Sequence, residues 1–165
     1  MNIEKKINSI NTVIGKRFSW LLLFMVIITC IIVVLRYVFN IGFIWMQEIV
    51  RYFYAFVFLA TAAYTMADDE HVRVDIIYSR LTKKNKALIN LLGNIIFLIP
   101  VCITILYYSF YYVINSWMQL EGSLEERGLH AVYILKSFIW LFAIMLFFQS
   151  ISGIISSIKI IRQHT

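Results

Sequence analysis

Glu48 and Arg51 stand three residues apart in "IWMQEIVRYF", at the start of a long apolar run. At that spacing opposite charges share one face of a helix. Ionisable groups within apolar segments are costly and mark either a pathway or a structural pair. Three chemistries fit: an ion-pair clamp, a seat for a substrate carboxylate, and a proton relay on Glu48. The clamp is the favoured reading, because Arg36 lies across a short turn at Asn40 and Gly42 and makes a third member. His71 and Asp75, four apart, form a second pair. An imidazole and a carboxylate at that spacing ligate metals only with further ligands. None is in view, so local hydrogen bonding is expected and no metal. Cys30 and Cys102 lie in apolar runs without a CxxC neighbour and read as small fillers. The sequence has no Ser/His/Asp set, no HExxH, no phosphate-binding glycine loop and no mid-span histidine pair for haem. Neither a catalytic residue nor a cofactor is expected, and the chain does not read as an enzyme.

The elements that carry these residues follow from composition. Of 165 residues, 61% are hydrophobic and 15% charged, with one proline and a mean hydropathy of +0.80. This is the balance of an integral membrane protein. A helix needs about 20 apolar residues to cross a bilayer, and four runs qualify, at about 18–38, 45–66, 87–116 and 131–158. The expected fold is all-α, one membrane domain over residues 1–165. The first run has no small-x-small cleavage site and continues too far for a signal core, so it is expected to remain as a helix. Pro100 predicts a kink or strong tilt in the third. Tyr107, Tyr108, Tyr111, Tyr112 and Trp117 read as an interfacial belt. In the fourth, Ser152, Gly153, Ser156 and Ser157 permit close helix contact, while Gln149 needs a polar partner.

Basic residues orient the chain. Lys5, Lys6, Lys16 and Arg17 precede the first run; Arg73, Arg80, Lys83, Lys84 and Lys86 fill the middle loop; Lys159 and Arg162 end the chain. Only Arg36, Arg51, Arg127 and Lys136 fall on the other side, which predicts cytoplasmic N and C termini. The positive charge of +6 is thus a topology signal that also favours anionic membrane lipids; no nucleic-acid surface is visible. Ile3, Ile7, Ile10 and Ile14 share one helical face, and the N-terminal segment reads as an amphipathic interfacial helix or as an extension of the first span. The loop between the third and fourth runs, "QLEGSLEERGLHAVYILK", is acidic, with Gly122 and Gly128 as breakers. It reads as a solvated loop or as a docking surface for another protein.

An arginine closing the first span, then "WMQEIVRY", then "HVRVD" about twenty residues on, in a four-span chain, resembles the small DctQ-like membrane subunit of tripartite ATP-independent periplasmic (TRAP) transporters. The later "RGLHAVYILKSF" with Gln149 is similar to a branch of that family whose outer loop carries Gly-Leu-Pro, with His130 standing where the branch has proline. The resemblance implies an accessory subunit in the bacterial inner membrane. It would pair with a large multi-span subunit holding the solute and ion sites, and help receive a periplasmic binding protein that delivers an organic acid or related solute. Uptake would be driven by an ion gradient, sodium in the first instance. On this reading Arg36, Trp45, Glu48, Arg51, His71, Asp75, Lys136 and Gln149 are structural or interface residues. The competing reading is a stand-alone four-helix exporter acting as a homodimer.

Overall fold

A computed structural model describes residues 20–67 and 81–163, together with residues 6, 7, 9, 12 and 13. Most of the N-terminal amphipathic segment, and the middle loop with His71 and Asp75, lie outside the described residues. Those described form helices and connecting turns without a strand: α1 Trp20–Tyr37, α2 Ile44–Ala67, α3 Lys83–Gly93, a π-helical turn Asn94–Leu98, α4 Ile99–Met118 and α5 Val132–Gln163. The π turn joins α3 and α4 into one 36-residue run, Lys83–Met118. Three helical stretches are long and apolar enough to cross a membrane: α1, the Lys83–Met118 run and α5.

α5 is the axis of the bundle. It packs against α2, α3, the π turn and α4, whereas α1 packs on α2 and contributes no buried residue. Cys102 is fully buried beside Met145 and Leu146, with Leu98, Leu141 and Phe142 packed around them. Cys30 instead is exposed on α1, so only one of the two cysteines fills a core. Aromatic contacts join the helices at several levels: Phe56 meets Phe138 at 4.9 Å between ring centroids, and Phe110 stacks on Trp140 at 5.8 Å. The Trp140 indole also donates to Ser109 Oγ at 3.1 Å. The hydroxyls of Thr29, Thr61 and Thr65 donate to carbonyls four residues back, which satisfies them inside their own helix where water is absent.

The irregularity foreshadowed by Pro100 takes a specific form. Proline has no amide hydrogen and its ring collides with the carbonyl four residues earlier. The helix widens by one residue in the turn before it, and the Ile99 amide bonds back to Asn94 O in the five-residue π spacing. Pro100 then sits in the first turn of α4, where no donor is required of it. The α1–α2 turn is closed by Asn40 at φ 54° and by the Ile41 amide donating to Leu35 O at 3.0 Å. Asparagine tolerates this left-handed cap.

Candidate functional site

Glu48 lies in the second turn of α2 and is 3% exposed. Burial of a carboxylate requires directional donors, here one for each oxygen. Both come from the α4–α5 loop. Ser123 Oγ donates to Oε1, and the Leu129 amide donates to Oε2 at 2.6 Å. The loop is closed on itself around this carboxylate. The Ser123 amide reaches Leu129 O at 2.9 Å, the Gly128 amide reaches Glu125 O at 3.0 Å, and the Val132 amide reaches Glu121 O at 3.1 Å. Ser123 Oγ in turn accepts the Glu125 amide at 3.2 Å. Gly128 is required by space: a Cβ there would collide with the Ser123 side chain and lie 2.9 Å from Glu48 Oε2.

Beside this cap lies a second polar cluster. The Lys136 ammonium, on the first turns of α5, pairs with Glu121 and sits 3.9 Å above the Tyr112 ring, a cation–π placement. The Lys136 ammonium holds the Glu121 carboxyl below the usual glutamate range. Trp117, near the end of α4, donates through its indole to Ser137 Oγ at 2.7 Å and meets Tyr133 edge-on at 4.7 Å. Ser137 itself donates to Tyr133 O. These contacts staple the end of α4 to the start of α5.

The arrangement corrects the expected arginine knot. Arg36 and Arg51 are exposed, and the ion pair beside the Glu48 cap is Lys136–Glu121. The reason is physical: backbone and hydroxyl donors are fixed in place and small, whereas burying a guanidinium-bearing side chain with the carboxylate would desolvate both charges. Arg36 falls in the last turn of α1, where the helix dipole favours a cation. Trp45 is half-exposed beside Phe43, ring centroids 6.1 Å apart. Gln149 is buried on α5, far along the chain from the loop cluster. The structure therefore brings Glu48 and Lys136 to the same loop, through Ser123 and Leu129, which the sequence did not single out, and through Gly128 and Tyr112, read from sequence only as a loop breaker and a belt residue.

A polar seam runs between α5 and the π turn. Asn94 is 7% exposed; its Nδ2 donates to Asn90 O at 2.8 Å, and a Cβ on Gly153 would lie 3.0 Å from that nitrogen. Gly153 thus lets the widened turn approach α5. Among the described residues no group of three or more His, Cys, Asp or Glu could hold a metal ion.

These contacts are joints between helices. A family model described as the DctQ component of tripartite ATP-independent periplasmic transporters matches residues 25–160. The chain belongs to that family. It is thus a transporter component and a membrane protein, in keeping with its apolar helices. Within the DctQ match lie α2 to α4, the Glu48 cap, Lys136 and Gln149. No curated protein matches the chain, and no solved structure does.

Proposed function

We propose that this DctQ-family chain is the small accessory subunit of a secondary TRAP uptake system in the bacterial inner membrane. It spans the membrane four times with both termini in the cytoplasm, α2 being the fourth span. At 24 residues and a rise of 1.5 Å each, α2 is about 36 Å long, enough for a bilayer core. The α4–α5 loop and the α1–α2 turn then face the periplasm. A large multi-span subunit binds the solute, an organic acid or related compound, and the coupling ion, sodium; this chain supports that subunit and helps receive a periplasmic binding protein.

The observation that carries the reading is the family match over residues 25–160. The geometry supports an accessory role, since Glu48 and Lys136 are engaged in fixed contacts within the chain. The uncovered apolar surface of α1 and the charged Arg36 and Arg51 are surfaces for lipid or for the large subunit. Affinity purification of the tagged chain from its own membranes tests the assembly: a large multi-span protein should co-purify in equal amount. Recovery as a homodimer alone would favour the stand-alone exporter instead.

A further inference from the structure

The tip of the α4–α5 loop holds a leucine entirely in solvent. Leu124 is 104% exposed, as open as in an extended chain, and Glu125, Glu126 and Arg127 beside it are exposed too. A flexible loop would fold such a leucine onto the neighbouring helices, since burying it is worth about 2 kcal/mol. This loop has no such freedom. Its shape is set from beneath by the Glu48 carboxylate, through Ser123 and the Leu129 amide, and by Gly128, where a side chain has no room. Leu120 and Arg127 are held at φ 44° and 64°, a left-handed conformation that residues with side chains adopt at a cost. Strain held in a closed loop that displays an apolar side chain at its tip is the arrangement of a preformed binding element.

The geometry points to residues 124–126 as a docking tip, positioned by Glu48, for a soluble protein that presents an apolar pocket rimmed by lysine or arginine. The occupant approaches from water, because two carboxylates and a guanidinium at the tip exclude it from lipid, and Trp117 at the end of α4 marks the interface below it. Seating the leucine in an apolar pocket would bury the surface now left in water, and the carboxylates select a basic rim and speed encounter. Glu121 takes no part, being paired with Lys136. The inference rests on the proposed reception of a binding protein and names the surface that performs it.

The test uses the complete membrane complex in nanodiscs and the binding protein of the same transporter, with affinity measured at low and moderate salt. Leu124→Asp should weaken binding by about tenfold or more, and Leu124→Ala by several-fold. The double variant Glu125→Gln with Glu126→Gln should weaken binding and abolish its salt sensitivity. All three should retain the large subunit at wild-type stoichiometry. Glu48→Gln should also weaken binding, with faster amide exchange over 121–131 as the sign that it acts through loop shape. Unchanged affinity in the tip variants overturns the docking surface while leaving the transporter reading intact. Loss of the large subunit from those variants also overturns it, since the tip would then serve the membrane partner. Failure of the wild-type complex to bind the binding protein overturns both.

Discussion

The Leu129 amide donates to the Glu48 carboxylate at 2.6 Å, across 81 positions of chain. With the Ser123 hydroxyl on the other oxygen, this bond ties the start of α2 to the loop between α4 and α5. Two segments distant in sequence are thereby fixed at one end of the bundle, above the packing of α2 on α5. Removing the acceptor leaves two donors facing a cavity. Glu48→Ala should destabilise the protein by about 2–3 kcal/mol, read as a lower midpoint of thermal unfolding in detergent. Glu48→Gln keeps one acceptor and should lose about half as much.

Gly128 and Gly42 make an internal comparison. A Cβ at Gly128 meets the Ser123 side chain and Glu48 Oε2, whereas a Cβ at Gly42 meets nothing within 4 Å. Gly128→Ala should cost about 1–3 kcal/mol through overpacking, and Gly42→Ala should stay within about 0.5 kcal/mol of wild type. Equal unfolding midpoints for the two variants would remove the close packing of the loop on Glu48.

The Glu121–Lys136 pair has a signed pH dependence. The Lys136 ammonium lowers the Glu121 carboxyl in the folded protein, so the pair's contribution is present above the ordinary glutamate value of about 4.3. It is lost as pH falls through the lower folded value. Unfolding midpoints of wild type and Glu121→Gln should therefore differ by a constant amount from neutral pH down to about 5 and converge in stronger acid. A gap that widens on acidification would contradict the pairing.

Gly153 controls the approach of the π turn to α5. A valine there would press its branched side chain into Asn94, already 3.0 Å from the position of an added Cβ. Gly153→Val should cost about 1–3 kcal/mol; Gly153→Ala should cost less, because the nearest atom is the amide end of a side chain that can shift.

Much of this architecture is legible in residue order because lipid-length apolar runs leave few alternatives. The expected span at 45–66 lies inside α2, Ile44–Ala67. α5 runs past the expected 158 to Gln163, since lysine, arginine and glutamine are good helix formers and a helix need not end where its apolar run does. Pro100 announced an irregularity, but a kink and a widened turn leave the same mark in sequence; Gly153, on another helix, makes room for the widened form. The partners of Glu48 were not legible. Arg36 and Arg51 are near it in sequence and opposite in charge, whereas Ser123 and Leu129 lie 75 and 81 residues away. One of the two donors is a backbone amide, which every sequence position supplies alike. Gly122 and Gly128 signalled a turn, and only the fold shows that the turn closes on a carboxylate.

On the proposed function, this chain works as one subunit of a larger transporter and moves no solute alone. The most direct test is solute uptake into proteoliposomes containing this chain, the large subunit, or both, with the binding protein supplied outside under an inward sodium gradient. Uptake should appear only when both membrane subunits and the binding protein are present, and should collapse when the gradient is removed. Transport by this chain alone, or full uptake by the large subunit without it, would contradict the account.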